Sequence, residues 1–502
     1  MRIASVGGGG AATFAAATES AAGEPLSYLR TQGQNMVNEK GERILLRGVG
    51  LGNWMLPEGY MWKFGERGDR PRRIEKLVSD MIGPEPASSF WHEFRQNYIT
   101  EADIQRIAEL GFNSVRPALN ARLFLMETDP AQPVEEGFQL LDALVKWCKA
   151  HGLYVIIDMH GAPGRQTGQN IDDSADDQPR LFMETKYQDR LVDLWVAIAR
   201  RYKEEPAVAG YDLLNEPLPA RTGAAAKYKH LAEPLYQRLA KAIRQVDAKH
   251  MIILEGVDWA NDWSIFTGPF DKNLVYQFHY YCWDNPARLN SIKRFLDYRE
   301  KFNAPVWVGE TGERDNTIYW ATTDYFEANN IGWSFWPWKK METVNTPYSI
   351  KRPQHWGEVM AYSRGGAKPT PEVAQKALGE LLVNTRLENC TYFPDVVNGI
   401  LRRAPTRIEG ENYGLGGPNV SYSVKDMTRK AEYYRIDEPV MVKLREGQRR
   451  RSGQYITLSA DEWKVDTVPG VWTFSAELAA PEEVDPGASG TDLPPGPQAL
   501  GR

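Results

Sequence analysis

The sequence of 502 residues predicts an α/β protein, a (β/α)8 TIM barrel followed by a small C-terminal β-sandwich. Three observations predict this fold class. Eight short apolar runs alternate with stretches of helical periodicity, polar residues stand at the carboxyl ends of these runs, and from residue 407 the chain turns to short β-like segments. We therefore divide the chain into four segments: an N-terminal extension (1–27), the barrel (28–390), the sandwich (391–480) and a disordered tail (481–502).

The eight apolar runs have the length of buried strands and are followed, in most cases, by helical patterns. A count of eight favours a closed barrel over an open, doubly wound sheet. The runs are ILLRGVGL (44–51), FNSVRPA (112–118), LYVIIDMHG (153–161), VAGYDLLNE (208–216), MIILEG (251–256), NLVYQFHYY (273–281), APVWVGETGE (304–313) and IGWSFWPW (331–338).

The helical patterns between the runs carry recognisable ends. In TEADIQRIAELG (100–111), Thr100 predicts the N-cap, acidic residues fill the first turn, and Gly111 predicts the C-cap. KPTPEVAQKALGELLVN (368–384) predicts a final helix that prolines open. Further helices are predicted at FQLLDALVKWCKAHG (138–152), YQDRLVDLWVAIARRY (187–202) and LYQRLAKAIRQVD (235–247).

Composition excludes several classes of function. A net charge of -6 provides no basic surface, so we expect no nucleic-acid partner. No stretch has about 20 consecutive apolar residues, so no membrane span is predicted. Cys148, Cys282 and Cys390 are spaced for neither a metal site nor a disulfide framework. The 16 Trp and 23 Tyr residues suit sugar faces, although aromatic side chains also fill cores. The oligomeric state stays open.

The two ends of the chain are low in core-forming residues. The start, MRIASVGGGGAATFAAATES, has one Arg, a weak apolar region and small residues, which indicates either a poor signal peptide or a flexible tail. We therefore expect a secreted or periplasmic protein, and a cytoplasmic location stays open. The last residues (481–502) are rich in Pro, Gly and acidic side chains, which is typical of disorder.

Polar and aromatic side chains stand where the proposed strands end. In a barrel the carboxyl ends of the strands converge on one face, and the active sites of this fold lie there. One site explains the whole set, whereas a structural interpretation needs a separate reason for each buried polar group. The set is Arg116, His160, Asn215, Glu216, His279, Tyr281, Glu310 and Trp336.

Two glutamates facing each other across a barrel mouth indicate glycoside hydrolysis. Retaining enzymes hold two carboxyl groups roughly 5 Å apart: one attacks the anomeric carbon, and the other protonates the leaving oxygen and then activates water. Arg116 beside Glu310 would favour an ionised nucleophile, and Tyr281 would hold it by its hydroxyl group. Asn215 is placed to donate a hydrogen bond to the sugar 2-OH, and Trp336 to form the floor under the ring.

Seven segments together resemble glycoside hydrolase family 5, in the clan with catalytic glutamates on strands four and seven. The resemblance covers roughly residues 28–390 and implies Glu216 as acid/base and Glu310 as nucleophile. It also implies that Arg116, His160 and the other polar and aromatic residues at the strand ends line the subsite where the bond breaks. The segments are RGVGLGNW, ITEADIQRIAELGFNSVRP, IIDMHGAPGRQTGQN, LLNEP, HYY, WVGETGE and GWSFWPWK.

The substrate is expected to be a β-linked poly- or oligosaccharide. DMHGAPGRQTGQN and RGVGLGNWMLPEG resemble the branch of fungal exo-β-1,3-glucanases, although Asn53 replaces a glycine of that branch. That likeness favours β-glucan and implies that Glu58 binds sugar hydroxyls. Mannan, xyloglucan or a glycolipid stays open, as does a barrel without activity that only binds carbohydrate.

Two aromatic features near the predicted mouth have alternative interpretations. The segment 53–99, with Trp54, Trp62 and Trp91, either walls the cleft into a pocket for exo action or packs over the barrel rim. In DWANDWS (258–264), Trp259 and Trp263 are candidates for a platform under the leaving group, and one of the two is expected in the core.

No cofactor and no barrel metal are predicted, since His160 and His279 lack metal-ligand spacing. Asp158, inside the third strand, is expected to be a hydrogen-bonded scaffold residue. Beyond the barrel, IEGENY, YYRIDEPV and ITLSADEWKVDTV resemble a family 6 carbohydrate-binding module. That resemblance implies Glu409 and Glu411 as candidates for a structural Ca²⁺ site.

Overall fold

The computed structural model describes residues 25–281, 291–314, 316–406, 408–431, 434–444, 454–459 and 461–464. All of them belong to one compact unit, 1–466. None of the helices in these ranges is both long and apolar enough to cross a membrane.

Eight parallel strands close into a barrel in the order β10-β3-β4-β5-β6-β7-β8-β9, as the sequence predicts. Each strand pairs in parallel with its two neighbours, and the last strand closes the barrel through Trp333 opposite Arg47. The strands are β3 (Arg47–Leu51), β4 (Ser114–Asn120), β5 (Tyr154–Gly161), β6 (Val208–Asp212), β7 (Met251–Glu255), β8 (Leu274–His279), β9 (Val306–Gly312) and β10 (Gly332–Trp336).

A short antiparallel hairpin, β1 (Arg30–Gln32) with β2 (Asn35–Val37), precedes the barrel. Its residue Met36 belongs to a second buried cluster, which also contains Ile156 and Trp307 from barrel strands. Their neighbours Val155 and Val308 belong to the larger core, which also contains residues of the outer helices, so residues that alternate along each strand divide between the two cores.

Helices cover the outside of the barrel, and the helix ends predicted at Thr100 and Gly111 are confirmed. Thr100 N donates to Asp103 Oδ2 at 2.9 Å, and Gly111 adopts φ 89° just beyond the helix. The helices are α1 (Pro71–Ile82), α2 (Pro84–Tyr98), α3 (Glu101–Glu109), α4 (Glu135–Ala150), α5 (Arg180–Met183), α6 (Thr185–Tyr202), α7 (Ala224–Tyr228), α8 (Ala232–Arg244), α9 (Lys293–Phe302), α10 (Asn316–Ala328), α11 (Trp356–Ser363), α12 (Pro371–Asn384) and α13 (Pro394–Leu401).

The strand that leads to Glu216 is shorter than its apolar run predicts. It ends at Asp212, and the next four residues form a loop in which Leu213 N still bonds to Ile253 O and Asn215 N bonds to Met159 O. Leu213 and Leu214 extend the apolar pattern because they are buried in the core, and burial does not require them to be in a strand.

The segment 53–99 forms α1 and α2 and packs its tryptophans into the core. Trp54, Trp62 and Trp91 are all buried, and Trp62 contacts Trp91 and Phe94 with ring centroids 5.7 and 5.1 Å apart. These tryptophans therefore pack over the barrel rim, which is one of the two predicted alternatives, and do not line a sugar cleft.

Residues just beyond 390 are part of the outer layer of the barrel unit. β13 (Thr391–Tyr392) pairs with β12 (Tyr348–Ile350), which also pairs with β11 (Lys339–Met341). Arg402, which follows α13, forms an ion pair with Glu327 in α10 at 2.7 Å.

Beyond these residues the described chain contains two small antiparallel sheets, β14 (Tyr422–Ser423) with β17 (Trp463–Lys464) and β15 (Met441–Leu444) with β16 (Gln454–Thr457). A minor core forms around Tyr413, Tyr422 and Val440. The predicted sandwich stays a prediction, because several of its expected strands lie partly or wholly outside the described residues: RIEGENY, AEYYRID, EWKVDTV and VWTFSAEL.

Candidate active site

A buried arginine lies at the centre of the barrel mouth. Arg116, on β4, has no solvent exposure. Its Nη1 donates to Glu310 Oε1 at 2.7 Å, its Nη2 to Asn215 Oδ1 at 2.9 Å and to Glu255 Oε1 at 3.0 Å, and its Nε to Asp212 Oδ2 at 2.9 Å. One side chain thus ties β4 to residues on or just after β6, β7 and β9.

Glu310 is held through both of its carboxylate oxygens. Its Oε1 accepts from Arg116, and its Oε2 accepts from the Tyr281 hydroxyl at 2.7 Å. The residue lies on β9 and is 4% exposed. Two donors therefore fix the direction of the carboxylate, and both come from the residues that the sequence analysis placed beside it, Arg116 and Tyr281.

Glu216 lies in a different environment, just beyond β6. It adopts a left-handed backbone with φ 43°, and its N–H donates to Glu255 Oε2 at 2.7 Å. Its Oε1 lies 2.7 Å from His279 Nδ1. Burial raises the pKa of the Glu216 carboxyl, the His279 charge opposes the rise, and the charges of Glu310 and Glu255 add to it.

His279, on β8, is surrounded by carboxylates. Burial disfavours its charged form, but Glu255, Glu310 and Glu216 outweigh burial and raise the pKa of His279 well above its usual value. Its Nε2 lies 3.3 Å from Glu255 Oε1, and its Nδ1 lies 3.6 Å from Glu310 Oε2. The imidazolium therefore donates to Glu216.

His160, on β5, is neutral because burial lowers its pKa to about 4. Its Nδ1 lies 2.8 Å from Asp158 Oδ2, and its Nε2 lies 3.3 Å from Asn215 Nδ2. Nδ1–H therefore donates to Asp158, and Nε2 accepts from the Asn215 amide. Since Arg116 donates to Asn215 Oδ1, both ends of that amide are oriented.

Asp158 and Asp212 form the lower layer of the site. Burial raises the pKa of Asp158 to about 7 and that of Asp212 to about 8, against the charge of Arg116. Asp158 Oδ2 is 3.2 Å from Arg116 Nη1, and Oδ1 of Asp158 and Oδ1 of Asp212 each have no hydrogen-bond partner within the described part of the chain. Asp158 thus lies where the predicted scaffold role requires it, below the mouth.

Trp336 forms one wall of the mouth, at the end of β10. Its ring is parallel to that of His160, with centroids 5.3 Å apart and an interplanar angle of 4°. Two glycines support the ring from behind: a Cβ at Gly50 would lie 2.3 Å from Trp336 Cε3, and one at Gly52 would lie 2.5 Å from Cζ2. Only glycine permits this close approach of β3 to the indole.

Glu58 reaches the site from the loop after β3. It is 5% exposed, and its Oε1 has no hydrogen-bond partner among the described residues. Burial raises its pKa well above the usual value, and the charges of Glu310 and Glu313 add to the rise. Asn53, with φ 64°, accepts from Glu58 N at 3.1 Å. Asn53 suits the glycine position of the exo-glucanase branch because Asn tolerates left-handed backbone.

The two tryptophans of DWANDWS have different environments. Trp263 is 2% exposed and packs against Phe295, with ring centroids 4.7 Å apart, so it is the core member of the pair. Trp259 is half-buried in the loop after β7, and the Arg221 guanidinium lies 5.0 Å from its ring centroid.

The two catalytic candidates lie close together. One carboxylate oxygen of Glu216, one of Glu310 and a ring nitrogen of His279 are all within 4.8 Å of one another. Such a group has the composition of a metal site, but His279 Nδ1 already donates to Glu216. The prediction that the barrel needs no metal stays a prediction, as does a Ca²⁺ site at Glu409 and Glu411.

Sequence reasoning missed several residues that complete the site. Asp212 and Glu255 stand inside apolar runs, as Asp158 does, and a charge in a predicted barrel strand was the available signal. Gln166 donates from Nε2 to His160 O at 2.7 Å and to Asn215 O at 2.9 Å, and no local pattern marks it.

The opposite ionisation of the two histidines is directly measurable. We expect His279 to stay protonated and His160 to stay neutral from about pH 5 to about pH 7, because carboxylates surround the first and burial governs the second. Long-range ¹H–¹⁵N spectra of protein labelled at histidine report both states. His160→Gln and His279→Gln each remove one signal and so assign it. Equal ionisation of the two rings contradicts the geometry described above.

Comparison with known proteins shows the family to which the barrel belongs. Residues 81–342 match the family described as cellulase (glycosyl hydrolase family 5). A β-xylosidase of Phanerodontia chrysosporium is 35% identical over 353 residues, which cover 62% of this chain and 71% of the relative. Endoglucanase C of Acetivibrio thermocellus is 30% identical over 314 residues, covering 50% and 88% respectively.

A third relative belongs to the branch that the sequence resembles. A probable glucan 1,3-β-glucosidase A of Aspergillus clavatus is 27% identical over 297 residues, which cover 57% of this chain and 68% of the relative. The family match spans more than half of the chain and contains every barrel strand from β4 to β10. The chain therefore belongs to glycosyl hydrolase family 5 and is a glycoside hydrolase.

Proposed function

We propose that this glycoside hydrolase cleaves β-glycosidic bonds with retention of configuration, with Glu310 as nucleophile and Glu216 as acid/base. The observation that carries the proposal is the approach of a Glu216 oxygen to within 4.8 Å of a Glu310 oxygen. Retaining enzymes hold their carboxyl groups about 5–5.5 Å apart, whereas inverting enzymes leave about 6.5–9.5 Å for a water molecule.

The nucleophile assignment is supported by the contacts of Glu310. Arg116 and Tyr281 donate to its two oxygens, so the carboxylate is held in one direction by two donors, as a nucleophile requires. In the first step an oxygen of Glu310 bonds to the anomeric carbon while the bond to the leaving oxygen breaks. The proton on Glu216 passes to that oxygen.

The assignment of Glu216 as acid/base is supported by the causes of its raised pKa. Burial raises this pKa, and the charge of Glu310 adds to the rise. When Glu310 becomes an ester it loses that charge, so the pKa of Glu216 falls and its carboxylate is ready to take a proton from water. Hydrolysis of the ester then returns both groups to their starting states.

Asn215, His160 and Trp336 supply the positioning around the reacting sugar. Arg116 and His160 orient the Asn215 amide, so its Nδ2 is the donor that faces the proposed 2-OH. Trp336, backed by Gly50 and Gly52, presents a flat apolar surface under the ring. A hydrogen bond to the 2-OH that strengthens in the transition state accelerates the reaction.

The substrate that we propose is a β-glucan-type poly- or oligosaccharide. Glu58 supports recognition of hydroxyl groups, because a buried carboxyl oxygen without a protein partner is suited to a sugar hydroxyl. Half-buried Trp259 is the candidate platform for the leaving group. The relatives named above carry three different activities, so mannan, xyloglucan, xylan and glycolipids are the alternatives within the same chemistry.

We also propose that the C-terminal segment is a carbohydrate-binding module of the family 6 type. Its support is the resemblance of IEGENY, YYRIDEPV and ITLSADEWKVDTV, together with the antiparallel pairing of β15 with β16 around a small aromatic core. A variant that lacks the residues from 407 onward tests this proposal. The proposal is supported if this variant no longer binds insoluble glucan but still hydrolyses short oligosaccharides.

Replacement of either catalytic glutamate tests the mechanism. Glu310→Ala should abolish hydrolysis, by roughly 10⁴-fold or more, with the fold intact by circular dichroism. Azide should restore turnover of an activated glycoside by Glu216→Ala and yield the β-glycosyl azide, because it attacks the intermediate on the free face. Glu358→Gln, on the exposed side of α11, is the control. Retained hydrolysis in Glu310→Ala contradicts the nucleophile assignment.

The pH dependence of kcat/KM tests the assignment of Glu216 as the general acid. Glu216 must be protonated in the free enzyme, and its pKa is raised, so activity is lost as pH rises through that pKa. His279→Gln removes a charge that lowers this pKa, and the alkaline limb should move to higher pH. His355→Gln, at the exposed start of α11, should leave the limb unchanged. A limb that stays in place in His279→Gln contradicts the assignment of Glu216 as the titrating acid.

Product analysis tests the substrate. We expect glucose alone from laminarin if the segment after β3 closes one end of the site, because a pocket admits only a chain end. Chromatography of products from laminarin, barley β-glucan, carboxymethylcellulose, glucomannan and xylo-oligosaccharides separates the alternatives. Mixed oligomers from a β-1,4 polymer would show an open cleft and contradict the alternative in which residues 53–99 wall the cleft into a pocket for exo action.

A further inference from the structure

A chain of hydrogen bonds connects Trp336 to an ion pair that the catalytic mechanism does not use. Trp336 Nε1 donates to the Tyr60 hydroxyl at 3.2 Å, and that hydroxyl donates to Glu313 Oε1 at 3.0 Å. Lys340 Nζ donates to the same Oε1 at 2.7 Å. The ammonium also lies 5.6 Å from the centroid of the Tyr60 ring. We call these three residues, Tyr60, Glu313 and Lys340, the rim clasp.

The rim clasp joins three segments of the chain at the mouth of the barrel. Tyr60 lies in the loop after β3, Glu313 directly follows β9, and Lys340 lies in β11 just beyond Trp336. The side chains of Glu313 and Lys340 are only 11% and 10% exposed, so this pair is protected from solvent. A protected, hydrogen-bonded ion pair holds its geometry better than a surface pair, which contributes little.

The direction of each hydrogen bond follows from the chemistry of the groups. An indole N–H only donates, and an ionised carboxylate only accepts. The Tyr60 hydroxyl has one proton, which it must give to Glu313, and its lone pair is then left for the Trp336 N–H. The Lys340 ammonium, which only donates, binds the same Oε1 and so holds the carboxylate that orients the Tyr60 hydroxyl.

We propose that Glu313 and Lys340 are positioning residues, which act through the Tyr60 hydroxyl to fix the plane of Trp336. Gly50 and Gly52 set the ring from behind, and the rim clasp sets its edge. The sugar ring changes shape on the way to the transition state, so a floor of constant orientation favours that state over the bound substrate. This proposal rests on the proposed hydrolytic function.

Four variants test the proposal by kinetics on the substrate that the product analysis identifies. Tyr60→Phe removes only the hydroxyl, and Lys340→Met removes only the charge from a chain of similar length. Each should lower kcat/KM about tenfold, mainly through kcat, since a displaced floor affects the transition state most. The double variant Tyr60→Phe/Lys340→Met should lose no more than the larger single loss, because both changes break one chain. Lys340→Arg should recover most of the activity.

Arg352→Met is the matched control, because it removes a cation from an exposed pair with Glu342 near the same loop. It should change kcat/KM less than twofold. Two results would overturn the proposed role of the rim clasp. One is a kcat/KM of the double variant that falls by the product of the two single losses. The other is a kcat/KM within twofold of the unmodified enzyme in both single variants, while Trp336→Ala is impaired. Failure of Lys340→Arg to recover activity overturns the role of the charge.

A second readout does not depend on hydrolysis. Protein labelled with 5-fluorotryptophan gives a ¹⁹F signal for Trp336, which Trp336→Phe assigns. This signal should shift or broaden in both Tyr60→Phe and Lys340→Met and stay unchanged in Arg352→Met. If no substrate is hydrolysed, the proposed function fails, and the ¹⁹F spectra still decide on the rim clasp. An unchanged Trp336 signal in both variants overturns it.

Discussion

The site is organised around the burial of one guanidinium group. Arg116 has no contact with solvent, and a buried charge is tolerated only when it is paired and hydrogen-bonded. Its partners come from four other strands or strand ends, so the charge can be satisfied only when the barrel is closed. Closure of the barrel and assembly of the site are therefore one event, and each partner is oriented by the same group.

Around the buried guanidinium group, carboxyl groups outnumber cationic side chains. Asp158, Asp212 and Glu255 surround Arg116 together with Glu310, and burial raises the pKa of both aspartates into the neutral range. Glu310 has donors on both oxygens, whereas burial raises the pKa of Glu216, so two chemically identical carboxyl groups lie in different surroundings. The proposed roles of nucleophile and acid rest on this difference.

Residues outside the barrel strands complete the mouth. The segment 53–99 buries its tryptophans and so anchors a short loop from which Glu58 and Tyr60 reach the site. Anchoring by a large apolar cluster suits this role, because the loop must hold Glu58 beside other carboxylates although its Oε1 has no partner among the residues that the structure describes. The same segment that packs over the rim therefore also shapes the site.

The barrel and most of the residues at its mouth could be predicted from the sequence. Eight apolar runs match eight strands because buried parallel strands need continuous apolar stretches, and most candidate site residues stand at or near the ends of these runs. The packing of Trp62 and Trp263, the end of β6 at Asp212 and the contacts of Glu255, Gln166 and Lys340 depend on the folded chain. Their partners lie far away in sequence, and an ion pair or a ring contact between distant segments leaves no periodic pattern in either of them.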